Sequence, residues 1–347
     1  MGTWREVLGP LTRGDEVPVD LVRWAMREVM SGAATDAQIA AFGVALRMRG
    51  ETAAEIAALV EVMLEFAQPV NIPGLALDPV GTGGDGAHTV NISTMSAVLL
   101  AASGTPVVKH GNRAASSKCG SADVLEALGV RLELSPDAAR AVFDEIGLTF
   151  LYAPAYHPAL RFAGPARREI AIPTVFNLLG PLANPARPKV QLLGVADASR
   201  AQLLIDALRL RGTTAIAVHG EDGLDEVSVF APTLMWPSWM DEPVRFDPRA
   251  HGLPDFAPDV LRGGDPAFNA AVARRVLEGD ADPSLDGIVL AVLLNAATAQ
   301  VAFDAAQGHP TDDIASALMA KLPALRATLA SGAPGRLLDR WVALTNR

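Results

Sequence analysis

Gly81-Thr82-Gly83-Gly84-Asp85-Gly86 joins a short apolar run, Leu77 to Val80, to a helical stretch that begins near Ser93. Glycines let backbone N–H groups converge, and a helix N-terminus adds partial positive charge, so this loop suits a phosphate or pyrophosphate. A plain tight turn has the same composition. Asn91-Ile92-Ser93-Thr94 stands where the helix starts. Its polar side chains could cap the helix, bond phosphate oxygens, or offer a hydroxyl to a metal. Lys109-His110-Gly111-Asn112-Arg113-Ala114-Ala115-Ser116-Ser117 directly follows a predicted strand, Pro106 to Val108. Ligands of open α/β sheets sit beyond the carboxyl ends of strands. A lysine point charge, a glycine and small polar side chains there make an anion cradle, although a solvated loop looks alike. Asp225-Glu226 follows a predicted strand ending at Val218 and a turn over Gly220 to Gly223. Adjacent carboxylates suit Mg2+, which takes oxygen ligands from a few carboxylates and from substrate phosphates. A solvated acidic turn is the alternative. His157-Pro158 and Arg167-Arg168 are harder to read. Arginine is the natural bidentate partner of a carboxylate, and an ion pair with Glu169 is the other reading.

The charges are unevenly spread. Residues 86–122 contain no Asp or Glu but hold Lys109, His110, Arg113 and Lys118. Residues 146–168 are also free of acid and hold His157, Arg161, Arg167 and Arg168, whereas Glu221, Asp222, Asp225 and Glu226 crowd together. Two basic windows and one acidic knot suggest an anionic ligand with a divalent cation, against the reading of ordinary solvated faces.

The first 72 or so residues read as helical. Thr35 with Gln38 and Thr52 with Glu55 form capping-box patterns, and Ser31-Gly32 and Gly50 supply stops. Ile39, Phe42, Gly43 and Leu46 recur at helical spacing, as do Ile56, Leu59, Val60 and Met63. Beyond Asn71-Ile72-Pro73-Gly74 strands alternate with helices: a helix from about Ser93 to Ser103, one capped by Ser121 and ending at Gly129, and one from Ser135-Pro136 to Gly147. Strands at Val190 to Val195 and Ala215 to Val218 flank a helix opened by Ser199 and Gln202. The pattern predicts a small all-helical domain plus a larger α/β domain with a central, largely parallel sheet. The Pro-rich patches at 181–188 and 232–254 read as irregular connections.

The chain has 347 residues, half of them apolar and 20% charged, enough for about two domains with substantial cores. A net charge of −10 speaks against a general nucleic-acid binder. The single cysteine, Cys119, excludes an intrachain disulfide framework and a thiolate zinc cage and fits a reducing, cytoplasmic setting. Cys119 itself reads as a small residue in a tight place. The early prolines and charges do not make a secretory h-region, and Ile288 to Phe303 reads as a core helix, so neither an anchor nor a membrane partner is expected.

Taken together, VGTGGDGAHTVNIST, VVKHGNRAASSKCGSADVLEALGV, HPALRFAGPARRE, FNLLGPLANPA and GEDGLDEVS resemble the anthranilate phosphoribosyltransferase family, of the class that includes the pyrimidine nucleoside phosphorylases. The resemblance covers nearly the whole chain and is weakest over the C-terminal part. It implies a helical domain of residues 1–72 with a later segment near 165–188. It implies a phosphoribosyl pyrophosphate domain of 73–164 and 189–347, an active site at the hinge, and a homodimer. The implied reaction moves a phosphoribosyl group from 5-phosphoribosyl-1-pyrophosphate to the amine of anthranilate, a step of tryptophan biosynthesis. Carried over position by position, Gly81, Gly84, Asp85, Thr89, Asn91, Ser93, Thr94, Lys109, Ser117 and Ser121 would contact the sugar pyrophosphate. Ser93, Asp225 and Glu226 would hold up to two Mg2+ ions. Gly81, Asn112, His157 and Arg167 would contact anthranilate, with Arg167 nearest its carboxylate. Lys109, His110, Asn112 and Arg167 would line the reacting centre. Cys119 stands where the family usually has Ser, Phe268 replaces a more usual Glu, and MWPSWMDEPVRFDPRAHGLP is unusual; none touches the matched catalytic positions. A phosphorylase of the same class would carry a different lysine-serine glycine loop. A non-catalytic nucleic-acid binder would be basic along one face and would have degraded Asn112 and Arg167.

Overall fold

The computed structural model describes residues 2–114 and 118–347. The chain opens with four helices, α1 (Trp4–Thr12), α2 (Val19–Ser31), α3 (Asp36–Arg49) and α4 (Ala53–Glu65). Both expected capping boxes form. The Thr35 and Thr52 side chains accept from the backbone N–H of Gln38 and Glu55, whose own side chains reach back, and Gly32 ends α2 in the left-handed region. A third box, Thr3 with Glu6, starts α1. Each satisfies donors that a helix end otherwise leaves open.

The α/β region begins with β1 (Leu77–Gly81), α5 (Ile92–Ala102), β2 (Val107–Gly111), α6 (Ser121–Ala127), α7 (Pro136–Ile146) and β3 (Leu148–Tyr152). Short α8 (Ala153–Tyr156), α9 (Gly164–Ile170) and α10 (Phe176–Leu179) follow. Then come β4 (Val190–Gly194), α11 (Ala198–Leu210), β5 (Thr214–Gly220), β6 (Thr233–Pro237) and β7 (Val244–Phe246), and last α12 (Pro266–Leu277), α13 (Asp286–Ala306), α14 (Ile314–Ala330) and α15 (Ala333–Thr345). The seven strands form one sheet in the order β3-β2-β1-β4-β5-β6-β7. The first five are parallel; β6 and β7 add antiparallel.

Side chains alternate between the two faces, as a strand requires. Val190, Leu192, Ile216 and Val218 pack with α5 and α13 in one core. Leu193, Ala215 and Ala217 pack with α11 in the other, which continues into the buried faces of α1 to α4 and into residues Ala159 to Ala183. The four-helix region is therefore seated on the sheet's second face. A cross-link holds it there: Arg200 on α11 pairs at 2.8 Å with buried Glu51 from the turn between α3 and α4. Pro283–Ala306 is long and apolar enough to cross a membrane, but most of α13 is buried among β4, β5, α5 and α14, as a core helix.

Three local expectations are corrected. Gly120, not Ser121, caps α6, because Asp123 takes the Gly120 N–H. Asp197, not Ser199, caps α11. The stretch 232–254 is not wholly irregular: β6 and β7 lie in it, with prolines at their flanks.

Candidate functional site

β1, β2 and β4 end in Gly81, Gly111 and Gly194, and the strand order reverses between β1 and β4. Such a switch point opens a crevice beyond the strand ends. Asp225 lies across it. A Cβ on Gly81 would sit 2.5 Å from Asp225 Oδ2, and one on Gly194 only 1.8 Å from the Asp225 carbonyl oxygen. The two glycines, which face each other in the β1–β4 register, are what let the acidic turn come this close.

The loop after β1 curls through Gly83, Gly84 and Gly86, all at positive φ. Gly83 N–H donates to Asp225 Oδ2 at 2.8 Å. Ser93 N–H, in the first turn of α5, donates to Glu226 Oε1 at 3.1 Å. Lys109, 2% exposed on β2, donates from Nζ to Ser93 Oγ at 3.2 Å and to the Pro79 carbonyl. The glycine loop, the N-terminus of α5, the β2 lysine and the acidic pair thus meet at one place, although they are dispersed from residue 81 to residue 226 in the chain.

Burial and the nearby Asp85 push the Asp225 carboxyl up to about 6. Burial and Asp225 push Glu226 up to about 8, with Lys109 opposing. Burial lowers Lys109, opposed by Asp78, Glu226 and Asp225. Both acids are held by backbone N–H groups and not by an arginine. Crowded carboxylates that resist ionisation are where a divalent cation gains most. Among the described residues no three His, Cys, Asp or Glu side chains cluster to hold an ion unaided. The donor set of two carboxylates and a serine hydroxyl therefore fits Mg2+, an ion that completes its shell with substrate oxygens.

Beside this anionic side lies an imidazole pair. The rings of His110 and His157 are 5.3 Å apart, and burial holds both neutral, His110 at about 3 and His157 at about 4. His157 Nε2 meets the Ala183 carbonyl at 2.8 Å, while His157 Nδ1 and His110 Nε2 are buried without a partner among the described residues.

The remaining expected residues divide. Asn91 spends its carboxamide on scaffolding: it donates to the Cys119 carbonyl at 3.1 Å and accepts from Asn269 at 2.9 Å. Thr89 pairs through its backbone with Arg262, and the Thr94 hydroxyl is buried without a partner among the described residues. Asn112 is exposed and turns its side-chain oxygen to the Arg113 N–H; Ser121 Oγ lies 3.4 Å from the Asn112 carbonyl. Arg167 is half-buried on α9, where burial lowers its pKa, and the alternative ion pair with Glu169 does not form. Gly84 is exposed in its loop, and Ser117 lies outside the described residues. Arg113, counted in the basic window, does not serve the cradle: Asp123, Glu126 and Tyr152 hold its guanidinium.

Sequence reasoning missed Asp78, Asn184, Asn269 and Gly194. A charged residue inside the short run Leu77 to Val80, and a glycine inside the apolar run Val190 to Val195, were signals that could have found two of them.

Comparison with known proteins extends these observations. Residues 73–331 match the model described as "Glycosyl transferase family, a/b domain", and residues 5–67 that of its helical bundle domain. An anthranilate phosphoribosyltransferase of Rhodococcus opacus is 50% identical over 347 residues, covering 99% of this chain and 94% of the relative. The crystal structure of anthranilate phosphoribosyltransferase from Thermus thermophilus superposes with a TM-score of 0.90 at 38% identity, covering 99% of this chain and all of the other. The Saccharomyces cerevisiae enzyme in complex with PRPP and Mg gives 0.87 at 25% identity, over 99% and 98% of the two chains.

Proposed function

The chain belongs to the anthranilate phosphoribosyltransferase family, glycosyltransferases of tryptophan biosynthesis, and on that premise we propose that it transfers the 5-phosphoribosyl group from 5-phosphoribosyl-1-pyrophosphate to the amine of anthranilate. Pyrophosphate leaves and N-(5-phosphoribosyl)anthranilate forms. The observation that carries this reading is the meeting of the glycine loop, the α5 N-terminus, Lys109 and Asp225-Glu226 at the β1–β4 switch point.

The chemistry asks for little covalent work. As the bond at the sugar C1 breaks, negative charge grows on the departing pyrophosphate. Fixed N–H donors of residues 81–86 and of α5, together with the Lys109 ammonium, stabilise that charge more in the transition state than before it. Asp225, Glu226 and Ser93 would hold up to two Mg2+ ions, which supply further charge neutralisation at the phosphate oxygens. Gly81, Gly84, Asp85, Thr89, Asn91, Thr94, Ser117 and Ser121 complete the sugar-phosphate side of this proposal. For Asn91 the engaged carboxamide leaves the main chain as the contact. Gly81, Asn112, His157 and Arg167 take the acceptor, with His110 beside His157. The acceptor is an aryl amine, unprotonated at neutral pH, so orientation replaces a strong general base.

The same reading divides the chain into a helical body, 1–72 with 165–188, and an α/β body, 73–164 and 189–347. The packing of residues Pro158–Ala163 on α2 supports an earlier start for the returning helical segment. A homodimer through the helical body is supported by exposed apolar Met48 and Ile172, and a cytoplasmic setting by the lone cysteine.

The test follows the fluorescence of free anthranilate with purified protein. Signal is expected to fall only when 5-phosphoribosyl-1-pyrophosphate and Mg2+ are both present; an unchanged signal at high enzyme concentration overturns the reading.

A further inference from the structure

β1 and β2 are neighbours, yet their ladder is short. Leu77 pairs with Val107, and the pairing goes no further, whereas β1 and β4 stay in register from Leu77–Val190 to Gly81–Gly194. Beyond Leu77 the edge of β2 that faces β1 offers the Val108 carbonyl and the His110 N–H, groups that point the same way along a strand. Two side chains take them instead. Asp78 Oδ1 accepts from His110 N–H at 3.0 Å, and Asn184 Nδ2 donates to the Val108 carbonyl at 2.8 Å. The two side chains also bind each other, Asn184 Nδ2 donating to Asp78 Oδ2 at 2.9 Å, and Asn184 Oδ1 accepts from Ala186 N–H at 2.9 Å. Asp78 is wholly buried and Asn184 is 3% exposed. Pro79 has no N–H to give the Val108 carbonyl, so the ladder breaks off there and a polar wedge takes its place.

The wedge ends at the imidazole pair. Asp78 fixes the backbone of His110 directly. Asn184 fixes the segment whose preceding residue, Ala183, offers its carbonyl to His157 Nε2. Both histidines are thus tied to one carboxylate–carboxamide contact, His110 through its amide and His157 through the Ala183 carbonyl. We propose that Asp78, acting through Asn184 and the His110 amide, is a positioning residue that sets the His110–His157 wall of the pocket for the aromatic acceptor. Neither residue touches the reacting atoms in this assignment. It rests on the transferase reading above for its substrate, but the contact itself stands on geometry. A buried carboxylate would be an expensive way to close a strand pair unless the spacing it enforces is used.

The test compares Asp78→Asn with Asn184→Ala in the full-length protein. Asp78→Asn keeps the side-chain volume and an acceptor for His110 N–H but sets an amide against the Asn184 amide. Asn184→Ala removes the other half and guards against a misfolded first variant, with thermal unfolding as the check. For each, KM for anthranilate, KM for 5-phosphoribosyl-1-pyrophosphate and kcat are measured, along with the imidazole ¹H–¹⁵N resonances of both histidines. In either variant KM for anthranilate is expected to rise about tenfold, the scale of one lost buried hydrogen bond. KM for the sugar pyrophosphate should stay within about twofold, and both imidazole signals should move. The double variant should add less than the product of the two, as contacting residues do. Unmoved imidazole signals with KM for anthranilate unchanged in both variants overturn the proposal. An unmodified protein that never consumes anthranilate overturns the transferase reading instead, while the imidazole signals still decide the wedge.

Discussion

Asp225 and Lys109 show how individual side chains acquire work from their surroundings. The acid is squeezed between Gly81 and Gly194, and the lysine is buried with its ammonium on Ser93. Lys109→Ala is expected to lower kcat/KM for the sugar pyrophosphate by about 100-fold, the scale of one lost charge-stabilising donor, with folding kept by circular dichroism. Gly194→Ala places a methyl where the Asp225 backbone already is, so both activity and thermal stability should fall. The glycine loop, Lys109 and the acidic pair were legible because residue type and chain order alone announce them. Asp78 with Asn184 was not, because the partners are 106 positions apart and only the fold brings them into contact. Arg113 was misread for a related reason: its charge is answered by Asp123 and Glu126, which composition counts as outside the basic window.

Among the elements, what is local was readable. Capping boxes depend on residues three apart, so those of α3 and α4 follow from sequence. Thr35→Ala should cost about 1 kcal/mol in urea unfolding and leave kcat unchanged, since it removes one cap far from the crevice. The caps of α6 and α11 were misplaced by a residue or two because Ser, Asp and Gly compete for the same position. There Asp123 and Asp197 supply the better acceptors. The antiparallel strands β6 and β7 escaped because each is short and framed by proline, and only pairing, β6 with β5 and β7 with β6, makes them strands. The short ladder between β1 and β2 has one local signature, Pro79 inside β1, but the side chains that fill the gap come from distant parts of the chain.

At the scale of the molecule, burial governs the response to pH. His157 is held near 4, below its ordinary 6.5, so it contributes stability that is fully present above about 6.5 and lost as pH falls through 4. His157→Asn removes that contribution, so its stability relative to the unmodified protein should improve as pH drops from 6.5 to 4. The slope is up to about 1.4 kcal/mol per pH unit. Parallel urea titrations at four pH values measure it, and parallel curves would reject the assigned burial. The fold class was readable from the switch between helical and alternating grammar. The seating of the four-helix region on the sheet's second face was not, because Glu51 and Arg200 meet across 149 positions. One long element has a consequence for biogenesis. All seven strands precede α13 in the chain, yet α13 covers the face that carries Val190, Leu192, Ile216 and Val218. At roughly 5–20 residues per second, a ribosome completes the last strand several seconds before it releases that cover. During those seconds one greasy side of the nascent sheet has only the earlier helices of its core, α5 and α12 among them, against it. That side is closed only when α14 and α15, which share its core, have emerged as well.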